Sequence, residues 1–250
     1  MKKQLAIVTG ASQGIGAAIA RELAGLDLHV VLLSRREEEL AQVCKAISNK
    51  GGVCDYFVCD VSKTENVEAF VEKLQKLSLP PPAVLVNNAG WGGPFQPIDA
   101  VPETEWDAIF AVNVKSVYLL CRRFLPLMRE NGFGRVINIA SVYGSKGGAG
   151  SVGYSAAKHA LVGLTRALAV EWGSYGITCN TISPGFVETA MTASAAPDFT
   201  RRVTESIPVH RYGTVEEIAK MAAFLAGPDS AYVNGANLVI DGGLTSGFSF

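Results

Sequence analysis

The feature that most constrains the fold is a glycine-rich turn close to the N-terminus. An apolar run at residues 5–8 leads into Thr9-Gly10-Ala11-Ser12-Gln13-Gly14-Ile15-Gly16, and a helical pattern follows over residues 17–23. Glycines permit a tight turn and a close backbone approach, and the start of a helix offers free N–H groups and a positive dipole end to a pyrophosphate. The turn therefore predicts a dinucleotide site made of Gly10, Ser12, Gln13, Gly14, Ile15 and Gly16.

Short apolar runs recur along the rest of the chain, separated by stretches with helical spacing. They occupy residues 29–33, 54–59, 83–86, 135–139, 177–182 and 237–240. Strands that alternate with helices form parallel sheets, and continuous apolar runs suit strands buried on both faces. We predict an α/β fold of the Rossmann type: a doubly wound parallel sheet of about seven strands with helices on both faces, in one domain over residues 1–250.

Composition and spacing argue against several other classes of protein. Lys and Arg number 22 against 23 for Asp and Glu, so the net charge of −1 gives no positive field for a nucleic acid. No apolar stretch approaches the roughly 18 to 20 residues that span a bilayer, so we expect no membrane partner. The five cysteines form no CxxC motif and the three histidines are widely separated, which predicts no metal site. No long apolar segment follows the first residues, and we expect a cytoplasmic protein.

One long segment, from residue 184 to residue 212, has weak patterning. It contains small residues and two prolines, Pro197 and Pro208. Long irregular connections in compact domains are often lids or binding loops. We predict a substrate loop at about residues 186–212.

The end of the second predicted strand indicates which dinucleotide is bound. The sequence there is Leu33-Ser34-Arg35-Arg36, with no carboxylate before Glu37. An acidic residue at this place would bind the ribose hydroxyl of NAD, whereas a hydroxyl and a guanidinium bind the 2′-phosphate of NADP. We therefore predict NADP(H), held by Ser34 and Arg35. The alternative interpretation is that both arginines are solvated charges at the start of a helix, and it fits Arg36 better than Arg35.

A tyrosine and a lysine four residues apart are candidates for acid–base chemistry. Tyr154 and Lys158 begin a helical stretch that runs to about residue 172, and this spacing places them on one helix face. A nearby ammonium favours the phenolate, so we expect Lys158 to lower the pKa of Tyr154. Ser141 follows the apolar strand at residues 135–139, which places its hydroxyl at the edge of the sheet where open α/β folds bind ligands.

These motifs together resemble the short-chain dehydrogenase/reductase family. The resemblance also includes Asn87-Asn88-Ala89-Gly90 after the fourth strand and Asn113 in a long helix, and it extends to Asp241-Gly242-Gly243. It implies that Tyr154 donates a proton to a carbonyl oxygen, that Ser141 orients this carbonyl, that Lys158 also holds the nicotinamide ribose, and that Asn113 holds a relay water. It further implies cofactor contacts from Asp60, Val61, Asn88, Ala89, Gly90, Tyr154, Lys158, Pro184, Gly185, Val187 and Thr189.

One position departs from the pattern of the family. Many members that use NADP carry a second basic residue in the glycine turn, where this chain has Gln13. Arg35 would then supply most of the selectivity for the 2′-phosphate, and the use of NAD(H) stays open.

The resemblance also implies a class of reaction and an assembly. The ending Val239-Ile240-Asp241-Gly242-Gly243 is similar to that of members that reduce 3-oxoacyl thioesters of acyl carrier protein or CoA. The alternatives are an alcohol, polyol or hydroxysteroid dehydrogenase and, from another class, a non-catalytic NADP(H)-sensing protein.

In the family, helices matching residues 105–130 and 155–172 pair between subunits, which implies a homotetramer, with a dimer as the alternative. Aromatic and apolar residues are candidates for an acyl cleft, with ordinary packing as the alternative: Trp91, Phe95, Tyr143, Phe186 and Met191.

Overall fold

The seven predicted strands form one parallel sheet in the computed structural model, which describes residues 4–77, 79, 82–193 and 196–247. Every pair of neighbouring strands is parallel, and the order is β3-β2-β1-β4-β5-β6-β7. The chain reverses its direction of winding between β1 and β4, and open α/β sheets bind ligands at such a switch point. The strands are β1 (Leu5–Thr9), β2 (His29–Ser34), β3 (Val53–Val58), β4 (Pro82–Asn87), β5 (Gly134–Ile139), β6 (Ile177–Pro184) and β7 (Asn237–Ile240).

Helices cover both faces of the sheet and complete the doubly wound α/β fold that the sequence predicts. One face carries α1 (Gly14–Gly25), α2 (Glu37–Ser48) and α9 (Val215–Ala226), and the other carries α3 (Thr64–Lys76), α5 (Ser116–Glu130) and α6 (Val152–Trp172). A shorter helix, α4 (Glu103–Phe110), precedes α5 and also contacts α6.

Alternation along the central strands explains why both faces are apolar. In β1, Ala6 and Val8 pack with the first group of helices, whereas Leu5 and Ile7 pack with the second group. All four are fully buried, so a continuous apolar run is required here. The edge strand β3 is different because its outer positions are partly exposed, as Val58 shows with 54% of its surface accessible.

The long helix predicted around residue 113 is interrupted. Between α4 and α5 the chain forms a π-helical turn, Ala111–Lys115, that contains Asn113. π-Turns of this kind insert an extra residue into a helix and occur often at functional sites.

The expectation of an irregular segment at residues 186–212 is wrong in part. The segment contains a four-residue helix, α7 (Ala190–Ala193), and a ten-residue helix, α8 (Pro197–Ser206). α8 begins with a proline at its first turn and buries Val203 with Ile207 and Tyr212, against which Phe186 packs. Phe199, Val203 and Ile207 lie four residues apart, which is a helical spacing that the sequence does contain.

The described residues contain neither a membrane-spanning helix nor a metal-binding cluster. None of the described helices has the length and hydropathy needed to cross a membrane. Within the same part of the chain, no three His, Cys, Asp or Glu side chains are grouped so as to hold a metal ion.

Candidate active site

A large cleft of about 1180 Å³ opens at the carboxyl ends of the strands. Pockets for drug-sized ligands measure roughly 300–1,000 Å³, so this cleft has room for a larger ligand. It joins the glycine-rich turn at one end to Tyr154 and Lys158 at the other. Of the residues predicted to form the site, those that line the cleft are Gly10, Ser12, Gln13, Gly14, Ile15, Ser34, Arg35, Asp60, Val61, Asn88, Ala89, Gly90, Ser141, Tyr154, Lys158, Pro184, Gly185, Val187 and Thr189.

The glycine-rich turn is shaped by close backbone contacts. Gly10 has a φ of +63°, and a Cβ there would lie 2.8 Å from Nδ2 of Asn88, whose side chain donates to the carbonyls of Thr9 (3.0 Å) and Gly10 (3.2 Å). A Cβ on Gly16 would lie 2.4 Å from the Gly10 carbonyl oxygen. Gly16 does not line the cleft, and its lack of a Cβ permits the turn to pack against α1. Its predicted cofactor contact stays a prediction.

The end of β2 presents hydroxyl and guanidinium groups to the cleft. The Ser34 hydroxyl donates to Ser12 Oγ at 3.0 Å, and Nη2 of Arg36 donates to the same oxygen at 2.9 Å. Arg36 also pairs with Glu39 at 3.4 Å. The interpretation of Arg36 as a solvated charge therefore needs correction, because its guanidinium is held against the glycine-rich turn. Arg35 is exposed and lines the cleft, and its contact with a 2′-phosphate stays a prediction.

At the other end of the cleft, two elements bring three polar side chains together. Ser141 follows β5, is buried, and is hydrogen-bonded to Tyr154 of α6. Nζ of Lys158 lies 5.5 Å from the centre of the Tyr154 ring and donates to the Ile139 carbonyl at 2.9 Å. The predicted juxtaposition of Ser141, Tyr154 and Lys158 is present in this structure.

A buried polar network fixes α6 to the sheet below this site. Nδ2 of Asn87 in β4 donates to Oδ1 of Asn138 in β5 at 2.8 Å. Nδ2 of Asn138 in turn donates to Oγ1 of Thr165 in α6 at 2.9 Å, and the Thr181 hydroxyl of β6 donates to the same oxygen at 2.9 Å. The network therefore ties three strands to the helix that carries Tyr154.

Burial controls the pKa values of the tyrosine and the lysine. It raises the pKa of Tyr154 to about 12; the hydrogen bond with Ser141 acts in the opposite direction, and Tyr143 adds to the rise. Burial also lowers the pKa of Lys158 to about 8. The expected lowering of the Tyr154 pKa by Lys158 is thus wrong for this structure, because loss of water disfavours the phenolate and the ammonium alike. Tyr154 therefore keeps its hydroxyl proton at neutral pH.

Asn113 lies behind the cleft wall, adjacent to Gly90. Its Nδ2 donates to the carbonyls of Trp91 (2.7 Å) and Ile109 (2.9 Å), while its buried Oδ1 has no hydrogen-bond partner among the described residues. A Cβ on Gly90 would lie 3.0 Å from this Oδ1 and 3.4 Å from Nζ of Lys158. Gly90 thus leaves the acceptor of Asn113 and the ammonium of Lys158 facing the same small space.

The segment after β6 completes the cleft and explains the motif near the C-terminus. The Gly185 N–H donates to the Ile240 carbonyl at 2.9 Å, and a Cβ on Gly185 would lie 2.8 Å from that of Asp241. Ile240 and Asp241 therefore support Gly185 from behind, whereas Gly242 and Gly243 approach residues 207–209. Oγ1 of Thr192 accepts from the N–H of Thr189 at 3.0 Å, which holds the start of α7.

The candidates for an apolar cleft separate into two groups. Phe95, Tyr143 and Tyr154 form a row of rings beside Ser141, and Trp91 lines the cleft. Phe186 instead packs on Tyr212 and Phe199 in the segment after β6. The side chain of Met191 lies outside the described residues.

A second pocket of about 430 Å³, lined mostly by polar residues and called the polar pocket below, adjoins the cleft and shares Thr189 and Thr192 with it. Sequence reasoning gave no sign of it because its residues come from three separate stretches of the chain. They are Glu188, Thr189, Thr192, Ala193, Thr200, Thr204, His210, Arg211 and Tyr212.

Comparison with known proteins gives matches over nearly the whole chain. A family model described as "Enoyl-(Acyl carrier protein) reductase" matches residues 10–245. A 3-oxoacyl-[acyl-carrier-protein] reductase FabG from Pseudomonas aeruginosa is 38% identical over 244 residues, which cover 98% of each chain. An acetoacetyl-CoA reductase from Allochromatium vinosum is 39% identical over 96% of this chain and 98% of its own. The crystal structure of a gluconate 5-dehydrogenase from Burkholderia cenocepacia, in complex with NADP and tartrate, is similar with a TM-score of 0.93, 32% identity, and coverage of 99% of this chain and 97% of that one.

Proposed function

The chain belongs to the short-chain dehydrogenase/reductase family, and we propose that it uses NADP(H) to reduce the ketone of a 3-oxoacyl thioester to a secondary alcohol. It is an oxidoreductase that acts on CH–OH and keto groups. The observation that carries the proposal is the single cleft, which joins a dinucleotide turn to a protonated Tyr154 bonded to Ser141.

The residues of the cleft fit NADP(H), which supplies a hydride when bound. Gly10 and Gly14, with φ values of +63° and +55°, leave the turn open for a pyrophosphate at the start of α1. The guanidinium groups of Arg35 and Arg36 and the Ser34 hydroxyl suit a 2′-phosphate. The related gluconate 5-dehydrogenase is described with NADP. We propose that the residues lining the cleft, as given above, hold this cofactor.

In the proposed reduction, Tyr154 transfers the proton of its hydroxyl to the carbonyl oxygen as that oxygen gains negative charge. A pKa of about 12 keeps this proton on Tyr154 until the substrate oxygen becomes basic enough to accept it. Ser141 donates a hydrogen bond to the same oxygen and orients the carbonyl. General acid catalysis of this kind contributes about 10²- to 10⁴-fold to the rate.

We propose that Lys158 and Asn113 restore the proton of Tyr154. Lys158 lies 5.5 Å from the Tyr154 ring, and its lowered pKa of about 8 makes its proton easy to transfer near neutral pH. The free Oδ1 of Asn113 faces the same space as Nζ of Lys158, so it would accept a hydrogen bond from a water that carries protons from solvent.

The thioester substrate is supported by the names and the coverage of the relatives. An acyl-carrier-protein reductase and an acetoacetyl-CoA reductase both match over nearly their full lengths. Trp91 lines the cleft and offers an apolar surface in the same cavity as the proton donor. The remaining alternative is a non-catalytic sensing role. It would not require the side chains of Ser141 and Tyr154 to lie close together.

One observation favours a second candidate, a polyol or sugar-acid dehydrogenase. The polar pocket beside Thr189 carries threonine hydroxyls, His210 and Arg211, which suit a hydroxylated substrate better than an acyl chain. A gluconate 5-dehydrogenase is among the similar structures.

The two candidates predict turnover of different substrates. We expect the purified protein to oxidise NADPH with acetoacetyl-CoA and to leave gluconate with NADP⁺ unchanged. Thr204→Ala serves as a control, because it alters the polar pocket without altering the cleft. Turnover of gluconate that falls in this variant, with no turnover of acetoacetyl-CoA, would replace the first candidate by the second.

We also propose that residues 186–212 cover the substrate and that the chain forms a homotetramer. The helices of the proposed interface expose apolar side chains, since Tyr118 of α5 is 48% accessible and Val170 of α6 is 88% accessible. Light scattering of the purified protein would show a mass of four chains, and a mass of one chain would contradict the assembly.

A further inference from the structure

We propose that Tyr143 is a positioning residue, which acts on the reaction through Tyr154 by holding the ring of Tyr154 in an edge contact. The inference rests on the proposed function, in which Tyr154 donates the proton. Tyr143 lies in a short 3₁₀ turn, Val142–Gly144, directly after Ser141. It does not line the cofactor cleft, so its influence would pass through its neighbours.

Tyr143 contacts both members of the Ser141–Tyr154 pair. Its backbone N–H donates to Ser141 Oγ at 3.3 Å. Its ring centre lies 5.8 Å from that of Tyr154 with an angle of 66° between the planes. Aromatic pairs prefer this edge-to-face arrangement because the positive edge of one ring meets the negative face of the other. One residue therefore connects the turn after β5 with the helix that carries the proton donor.

Tyr143 is itself held from the other side. Its ring makes a second edge contact with Phe95, at 6.3 Å and 62°. A Cβ on Gly148 would lie only 2.3 Å from Cε1 of Tyr143, so this glycine is needed for the ring to occupy its place. The N–H of Gln96 donates to the Gly150 carbonyl at 2.9 Å and ties the two flanking loops together. The Tyr143 ring is thus enclosed on the side away from Tyr154.

The electrostatics of the pair agree with this contact. Tyr143 contributes to the raised pKa of Tyr154, as expected when two phenolates would repel each other. The other titratable group against Tyr154 is Lys158 from the same helix. From α4, the side chains that meet the start of α6 at Gly153 are Ile109 and Trp106, and neither of them titrates.

Two substitutions separate the ring of Tyr143 from its hydroxyl. Tyr143→Phe keeps both edge contacts, and we expect kcat at pH 7 to stay within about threefold of the wild-type value. Tyr143→Leu removes them, and we expect kcat to fall by about tenfold or more while KM for NADPH is unchanged. A tyrosine titration followed by NMR would also show Tyr154 ionising at lower pH in Tyr143→Phe, an effect that a purely structural role would not produce. Equal losses of kcat in both variants, or full activity in Tyr143→Leu, would overturn the proposal.

Gly148→Ala provides an independent perturbation that leaves Tyr143 in the sequence. Its new methyl group would displace the Tyr143 ring, so kcat should fall in the wild-type background and change little further in the Tyr143→Leu background. A fall of equal size in both backgrounds would show that Gly148 does not act through Tyr143. Tyr154→Phe is measured in the same assay. If Tyr154→Phe is inactive and the Tyr143 variants are normal, only this inference fails, whereas an active Tyr154→Phe refutes the proposed function.

Discussion

The contact between Arg36 and the glycine-rich turn predicts which arginine selects the cofactor. Arg36→Ala removes a guanidinium that is already oriented by Ser12 at 2.9 Å and by Glu39 at 3.4 Å. A guanidinium held in place loses little conformational entropy when a phosphate binds. Arg35 has greater freedom because, although both arginines are exposed, no hydrogen bond or ion pair to another described residue holds its guanidinium. We therefore expect Arg36 to contribute at least as much as Arg35 to the binding of a 2′-phosphate.

The size of the effect follows from the strength of the hydrogen bond. A hydrogen bond to a charged group contributes about 1.5–3 kcal/mol, which corresponds to about 10- to 150-fold in a dissociation constant. The Arg36 side chain is 42% exposed, so water screens the contact and the low end of this range applies. Arg36→Ala should thus weaken NADPH binding by about tenfold.

Titration of NADPH and NADH fluorescence with the protein measures this directly. The Kd of NADH should change by less than about twofold, because NADH has no 2′-phosphate, and Arg35→Ala serves as the matched control. Equal losses for NADPH and NADH, or no loss for Arg36→Ala beside a large loss for Arg35→Ala, would refute the argument.

Three further perturbations test the packing and the charges of the site. Gly16→Ala places a methyl group 2.4 Å from a carbonyl oxygen and should cost about 1–3 kcal/mol of stability in urea unfolding. The control Gly25→Ala, with nothing within 4 Å, should raise stability by up to about 1 kcal/mol, and equal effects of the two would contradict the packing argument. Asn113→Ala leaves two carbonyls without their donor and should lower the free energy of unfolding by about 1–3 kcal/mol. It should also lower kcat at unchanged KM for NADPH. Normal stability would refute this role. The pKa of Lys158 is about 8 in the folded protein, and its ordinary value is 10.5. Between these two pH values the unfolded chain therefore binds a proton that the folded chain does not. The free energy of unfolding should then gain up to about 1.4 kcal/mol per pH unit from this group as the pH rises from 8 to 9, relative to Lys158→Met. A difference between the two proteins that is independent of pH would contradict the burial argument.

Much of the architecture could be predicted from the sequence because each central strand is buried on both faces. A strand such as β1 needs an apolar residue at every position, and this produces runs that are easy to recognise. The places of Ser141 and Tyr154 then follow, since one ends a strand and the other begins a helix at the same edge of the sheet.

The remaining features depend on contacts between distant parts of the chain. Whether Arg36 or Arg35 turns toward the glycine-rich turn is decided by how α2 begins, and the sequence contains only two adjacent arginines. The rise in the Tyr154 pKa comes from burial by several elements, whereas sequence spacing showed only Lys158.

The most direct test of the account is a single-turnover reaction of Tyr154→Phe. Protein loaded with NADPH is mixed with acetoacetyl-CoA, and the loss of NADPH absorbance is followed beside the wild type, with the Kd for NADPH measured separately. The account predicts a rate at least about 10²-fold below that of the wild type, with NADPH binding changed by less than about threefold. A wild-type rate in Tyr154→Phe would contradict the assignment of Tyr154 as the proton donor.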